Sequence, residues 1–386
     1  MASQAGGLSF ESTLRGSAIR SQVLTLIPYN RHRGGRVYDV DLAEPPVQRW
    51  RSLGRELGDE LHELLADVVE LCEENLSGVP SLLRPLAKAA MHGASRLGGS
   101  VIGTIAGWCG GEYVEEIAGL AKTAEVPFSQ VLLSNLTYDL TQISQRWSGA
   151  SACSSYSCNV RGKPVLARCM DWSWPSSTGS HTVVFRFHRG RESYLSIGIV
   201  GLVGVLSAMY EGHWAVTLNM APTAGLKANH TQWPALQRLR AACDGLGSFR
   251  GLVRRISEYR TMSPFHCQVI GIRPEDHVVI DGFGTEYGFR RTENGRLIQT
   301  NHYVGDDVAH MNPVDGEFED EQGQCWYWDT YPRYRALERR LKDLPRTLSG
   351  AMAKLARPPV THEGTQQRMV LNPATGKLLL EVRVED

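Results

Sequence analysis

The stretch SACSSYSCNVRGKPVLARCMDWSW, Ser151 to Trp174, brings together a cysteine with small neighbours, Cys153, an arginine, Arg168, and an aspartate, Asp171. Ser155, Ser157 and Asn159 alternate with Tyr156, Cys158 and Val160, a period near two that suits a strand. Gly162 supplies a turn, and Val165, Leu166 and Ala167 form a second apolar run. A hairpin is therefore expected, with Arg168 and Asp171 at the far end of the strand that returns beside Cys153. A cation there favours thiolate, and a carboxylate holds an ammonium group in place. One chemistry open to these residues is a cut by the protein itself between Ala152 and Cys153. The thiol is then a nucleophile and its own new α-amine the base, with no separate histidine required. The same letters also fit a surface ion pair beside a small buried hydrophobe.

Cys-Ser-Ser at 153–155, followed by Ala-Arg-Cys-Met-Asp-Trp at 167–172, resembles the opening of the cysteine N-terminal-nucleophile hydrolases. That group includes acid ceramidase, N-acylethanolamine acid amidase, bile salt hydrolase and the penicillin acyltransferases, which carry Cys-Thr/Ser and then Gly-Arg-Asn-Met-Asp or a Trp-Asp variant. The resemblance implies that Cys153 is the nucleophile, that Arg168 and Asp171 are its supporting charged pair, and that Ala152–Cys153 is the autocleavage bond. Ala167 and Cys169 depart from the pattern, at positions the mechanism does not use.

Acyl transfer also needs donors aimed at the developing oxyanion. Asn219 closes a strand-like run in AVTLNMAP and Asn301 closes another in LIQTNHY; a strand-end asparagine is also a common turn former. Val-Thr-Leu-Asn resembles the family site that offers a backbone N–H, and Gln-Thr-Asn-His the site of a side-chain amide donor. Arg333, in DTYPRYRAL, resembles the arginine of a late Ser-x-x-Arg motif, and with Arg335 and Arg339 nearby it also reads as a helix-surface arginine. Met220 stands where acid ceramidase and its amidase relative place a glutamate. Trp172 and His302 lean towards the penicillin-acyltransferase branch. Tyr156, Trp174, Met209 and Tyr210 are candidates for an acyl pocket, with Met220 and His302 as further substrate contacts, although such residues at strand spacing also make plain core.

The elements that must position these residues fall in two blocks. Residues 1–36, rich in Gly, Ser and Arg, read as a mobile or loosely docked arm. A strand is expected at Tyr38 to Leu42 and a helix start at Pro45-Pro46. Trp50, Leu53, Leu57, Leu61, Leu64 and Val68 mark one amphipathic helix. The run DVDLAEPPVQRW, 39–50, resembles the mature start of acid ceramidase. Further helices are expected at Ser81 to Met91 and Gly93 to Trp108. Two more are split by Val126-Pro127, with Glu115-Glu116 on a solvated face; these two resemble the family's helical hairpin. After Cys153 come strands at Thr182–His188, Ser193–Ile199, Val203–Met209 and Trp214–Leu218, helices at Trp233–Cys243 and Phe249–Tyr259, and strands at His266–Ile272 and Val278–Gly282. A strand pair flanks Glu293-Asn294-Gly295. The tail carries helices near Tyr331–Leu344 and Leu348–Leu355 and a hairpin turned at Asn372–Gly376. Strands and helices in such blocks suit an α+β fold of two stacked antiparallel sheets between helical layers. With the resemblance, this is a four-layer αββα fold in which 37–152 is a helical N-terminal subunit and 153–386 the catalytic subunit.

Forty-one basic residues balance forty-one acidic ones, which argues against a general nucleic-acid partner. No apolar stretch reaches the length of a membrane span, and the first thirty residues lack the order of a signal peptide. A cytoplasmic protein, or a mature form without its leader, is expected. The eight cysteines show no metal spacing, and reduced thiols are the expectation. The twelve histidines show no ligand spacing, so no cofactor or metal is implied. Sequons at Asn75, Asn135 and Asn229 matter only in a secreted chain. The resemblance implies an amidohydrolase acting on a small-molecule, linear N-acyl amide, its two fragments staying associated and a homo-oligomer left open. Transfer of the acyl group to an amine, or a lipid-binding relative without catalysis, are the alternatives.

Overall fold

Period-two alternation after Cys153 becomes two sheets, antiparallel throughout except that Val37–Asp41, from before Cys153, joins Thr182–Arg189 in parallel, and the helical periodicities on either side become their covers. The structure is a computed structural model that describes residues 8–13, 37–74, 88, 110–143, 151–172, 176–224, 232–258, 260–283, 286–292, 294–313, 329–362 and 364–383. The helices expected at 81–91 and 93–108 lie outside the described residues, Lys88 apart.

The strands are β1 (Leu8–Thr13), β2 (Val37–Asp41), β3 (Ser151–Val160), β4 (Lys163–Trp172), β5 (Thr182–Arg189), β6 (Glu192–Ile199), β7 (Ser207–Tyr210), β8 (Trp214–Met220), β9 (Phe265–Ile270), β10 (His277–Phe283), β11 (Glu286–Arg291), β12 (Arg296–Gln299), β13 (Thr365–Asn372) and β14 (Lys377–Val382). The helices are α1 (Arg51–Glu56), α2 (Gly58–Glu74), α3 (Gly111–Thr123), α4 (Phe128–Ile143), α5 (Ala235–Asp244), α6 (Phe249–Ser257), α7 (Thr330–Arg340) and α8 (Leu348–Leu355). A six-stranded sheet runs β1-β14-β13-β4-β3-β12, and an eight-stranded sheet runs β11-β10-β9-β8-β7-β6-β5-β2.

Three apolar clusters make the layers. One joins α1 to α6 to the outer face of the eight-stranded sheet, with Trp50, Ile117, Leu132, Phe185 and Leu252 among its buried members. A second lies between the sheets and includes Leu166, Ile197, Met209 and Leu380. The third joins the outer face of the six-stranded sheet to α7 and α8 through Tyr156, Cys158, Leu337 and Leu355. The order is helices, sheet, sheet, helices, the αββα arrangement expected of this α+β chain.

The departures are local. Leu8–Thr13, within the arm expected to be loosely docked, pairs antiparallel with β14. The helix expected from Trp50 onward is two helices, broken at Leu57, although every apolar position of the stripe is buried. The strands on either side of Glu293-Asn294-Gly295 do not pair with each other: β11 belongs to one sheet and β12 to the other, so the chain crosses between layers there. Of the strand expected at Val203–Met209 only the end from Ser207 forms, as Ser207–Tyr210, while Val203 and Val205 are buried as loop against α5. Asn135, in one sequon, is fully buried, with its amide bonded to Gly201 O and Val203 N.

Glu116, expected on a solvated face, is completely buried. It accepts from Arg49 Nη1 at 2.7 Å and Trp50 Nε1 at 2.6 Å and pairs with Arg240 at 3.4 Å. Arg240 also bonds Asp244, which accepts from Tyr194 OH at 2.6 Å. Burial pushes the Glu116 carboxyl up, against the opposing pull of Arg240 and Arg49. This network joins residues on both sides of the Ala152–Cys153 bond. Glu116→Ala leaves two arginines without their shared carboxylate, and a loss of about 3–5 kcal/mol in denaturant unfolding is expected.

Candidate active site

The hairpin expected around Gly162 forms, and its turn explains its register. Arg161 and Gly162 have φ of 51° and 76°, the positive pair that a two-residue type I′ turn requires. β3 and β4 then pair with Ser155 opposite Arg168, Cys153 opposite Met170 and Ala152 opposite Asp171. Strand alternation divides the side chains between two faces. Ser154, Tyr156, Cys158 and Cys169 point towards α7 and α8, while Ser155, Ser157 and Arg168 point between the sheets, where Ser157 accepts from Gln268 of β9.

Cys153 is 3% exposed, and its Sγ accepts from Arg168 Nη2 at 3.3 Å. Arg168, 1% exposed, crosses to the other sheet, donating to Leu218 O at 2.6 Å, Ser207 Oγ at 2.7 Å and Leu206 O at 3.3 Å. These partners are carbonyls, a hydroxyl and the sulfur, so the guanidinium is a buried cation available to a sulfur anion. Cys158, Cys169, Cys243 and Cys267 are also buried free thiols. Burial pushes Cys158 up to about 12 and raises Cys169, Cys243 and Cys267 as well.

Asn301, placed just beyond β12, reaches the main chain of Cys153. Its Oδ1 accepts from Cys153 N at 3.0 Å and from Arg333 Nη2 at 2.8 Å, and its Nδ2 donates to Met220 O at 3.0 Å. Arg333 is not a helix-surface arginine: it is 1% exposed, and Nη1 donates to Cys153 O at 2.6 Å and Ser154 Oγ at 2.9 Å. Burial lowers its proton affinity, opposed by the charges of Asp171 and Cys153. Asn219 donates from Nδ2 to Ser155 Oγ at 3.0 Å and Gln299 O at 3.2 Å, while Oδ1 makes no hydrogen bond. Asp171, 1% exposed, accepts from Thr365 Oγ1 at 2.6 Å on Oδ1; its Oδ2 makes no hydrogen bond and lies 3.4 Å from His362 Nε2.

The structure thus gathers Cys153, Arg168, Asn219, Asn301 and Arg333, and sets Asp171 beside the bond that precedes Cys153. It does not gather every candidate. Tyr156 is on the wrong face of its strand for a pocket at the thiol: it is buried under α8 with its hydroxyl on Ala351 O at 2.7 Å. His302 spends Nδ1 on Thr330 at 2.9 Å and Thr300 at 3.1 Å and packs on Tyr331, and burial pushes its imidazole down to about 3. Met209 is core between the sheets, and Tyr210 stacks on His213 and donates to Glu192. Met220 is buried and contributes its carbonyl to Asn301. Trp174 lies outside the described residues.

Five contributors escaped the sequence. Tyr138 of α4 donates to Asn219 O at 3.3 Å, Ser207 bonds Arg168, Thr330 accepts from Asn301 N at 2.9 Å, and Thr365 and His362 hold Asp171. Only Thr330 carried a usable signal, since Thr330 and Arg333 have the spacing of a hydroxyl-x-x-Arg motif.

No protein-family model matches the chain. It is 25% identical over 270 residues to N-acylethanolamine-hydrolyzing acid amidase of Caenorhabditis elegans, covering 67% of this chain and 71% of that protein. It is 24% identical over 200 residues to acid ceramidase of Balaenoptera acutorostrata scammoni, covering 47% of this chain and 44%, less than half, of that protein. Among solved structures, the Caenorhabditis elegans N-acylethanolamine-hydrolyzing acid amidase ortholog aligns with a TM-score of 0.46 at 18% identity, over 57% of this chain and 92% of that one. A mutant conjugated bile acid hydrolase from Clostridium perfringens aligns with a TM-score of 0.38 at 11% identity, over 57% and 86%.

Proposed function

We propose, on the premise that the chain is a homologue of N-acylethanolamine-hydrolyzing acid amidase and acid ceramidase, that it is a self-processing amidohydrolase with Cys153 as its nucleophile. The observation that carries this reading is the pairing of Cys153 Sγ with the buried Arg168 guanidinium while the same residue's N–H is held by Asn301.

In the intact chain the thiol attacks the Ala152 carbonyl. The thiol proton passes to the departing Cys153 nitrogen, the peptide C–N bond breaks, and water hydrolyses the resulting thioester. Residues 1–152 and 153–386 separate covalently and remain packed together through contacts such as the Glu116 network. Ala152 lies opposite Asp171 in the hairpin, so its release opens Asp171 Oδ2, which has no hydrogen bond in the intact chain, to the new α-amine.

In turnover the amine accepts the thiol proton as Sγ attacks an N-acyl amide carbonyl, and returns it to the leaving amine as the C–N bond breaks. Oxyanion stabilisation falls to the Asn301 amide and the Asn219 N–H. Arg333 keeps Asn301 in place through Oδ1. Water then attacks the thioester, the amine again serving as base, and the free acid leaves. The substrate class is a linear N-acyl amide.

Rapid quenching of the processed enzyme with an N-acyl amide, followed by peptide mass mapping, tests this. An acyl adduct on the peptide that begins at Cys153 is expected. Turnover with the adduct on another residue, or turnover undiminished after Cys153 is blocked by iodoacetamide, would show that a different group is the nucleophile.

A further inference from the structure

The turn that leads into β13 is built around Asp171. Thr365 Oγ1 accepts from His362 N at 3.1 Å and donates to Asp171 Oδ1 at 2.6 Å. His362 Nδ1 accepts from Gly364 N at 3.2 Å. Accepting at Nδ1 fixes the neutral tautomer with its proton on Nε2, and Nε2 is the atom 3.4 Å from Asp171 Oδ2. Gly364 O in turn accepts from Trp172 N, the residue after Asp171, at 2.8 Å. The loop therefore holds both the Asp171 side chain and the main chain of the residue that follows it. The Asp171 side chain is 2% exposed and that of His362 is 37% exposed, so the imidazole connects a buried carboxylate to solvent.

We propose that His362 is a positioning residue for the Asp171 carboxylate, and through it for the protonation of the Cys153 α-amine. This rests on the self-processing amidase reading. The groups that act on the imidazole are Asp171 on β4, Arg333 in α7 and Asp329 at the N-terminal end of α7. Asp171 raises its proton affinity first, burial and Arg333 oppose this, and Asp329 adds to it. As the pH falls, protonation at Nδ1 displaces the Gly364 N–H contact, and the His362 cation so formed keeps Asp171 ionised and offsets part of its pull on the neighbouring ammonium group. Without that cation the amine holds its proton to higher pH, and Asp171 itself becomes easier to protonate. Both effects move the acid limb of the reaction in the same direction, upward.

The test compares wild type, His362→Gln and His362→Lys as purified full chains, reading kcat/KM against pH for an N-acyl amide and the rate of self-cleavage against pH. The Gln variant is expected to shift the acid limb upward by roughly one pH unit, and the Lys variant, which keeps a cation, to bring it back. An imidazole NMR titration adds a readout that needs no turnover: Asp171→Asn is expected to lower the His362 pKa. A purely structural His362 would depress rates at every pH with the limb unmoved, and that result, or a His362 titration indifferent to Asp171→Asn, overturns the proposal. Failure of the underlying reading looks different, since wild type itself would neither cleave nor turn over, and the proposal would fall with it.

Discussion

Replacing Cys153 with alanine is expected to abolish both self-cleavage and turnover, the latter by on the order of 10⁵-fold or more relative to the processed enzyme. The size follows from the number of functions concentrated in one residue. In the proposed mechanism its sulfur forms the acyl bond, and its nitrogen, once freed, is the base. The alanine chain retains the Ala152–Xaa153 peptide, so it lacks nucleophile and base together. Its fold should survive, because the thiol is a small buried group and the strand keeps its register through residues 151–160. Serine at the same position keeps a nucleophile of the right reach but loses the sulfur that faces Arg168. Slow, partial cleavage is expected there. Gel analysis of cleavage alongside product formation checks both variants.

The second large effect is expected at Asn301. Its amide nitrogen is the proposed oxyanion donor, and removing such a donor costs about 10²–10³ in turnover. Its oxygen has a separate task, holding Cys153 N–H and Arg333. Asn301→Ala loses both and leaves the Nη2 of the buried Arg333 without its partner, so a lowered midpoint of unfolding should accompany the lost activity. Asn301→Asp separates the two roles. It keeps an oxygen for Cys153 N and Arg333 but sets a second oxygen against Met220 O where Nδ2 donated, so a smaller loss of stability than in Asn301→Ala and an about 10²-fold slower turnover are expected. Equal activity in Asn301→Asp and wild type would assign the oxyanion to other donors.

How much of this was legible beforehand depends on how local the cause is. The Cys153 hairpin could be read letter by letter because alternation and a turn residue are local signals. The stripe from Trp50 to Val68 likewise predicted which residues are buried, though not the break at Leu57. Non-local facts were hidden. Glu116 looks like a surface residue until Arg49 and Arg240, 67 and 124 positions away, are brought to it. For Tyr156, strand spacing says which residues share a face but not which layer that face meets, and the face meets α8. The split of β11 and β12 between sheets was invisible for the same reason: the Asn-Gly letters that favour a hairpin also serve a crossover. Arg333 was legible only by resemblance. Its partners, Cys153 O and Asn301, come from two other elements, and nothing in DTYPRYRAL distinguishes it from Arg335 by period alone.

The central claim is that the chain cuts itself before Cys153, and one measurement meets it directly. Purified protein is incubated at neutral and mildly acidic pH, and its intact mass and N-terminal sequences are determined. A fragment beginning Cys-Ser-Ser-Tyr, still associated with residues 1–152 and absent from Cys153→Ala, is the predicted result. A chain that stays whole under every condition while hydrolysing N-acyl amides would contradict it, because the base would then have to be a group other than the Cys153 α-amine.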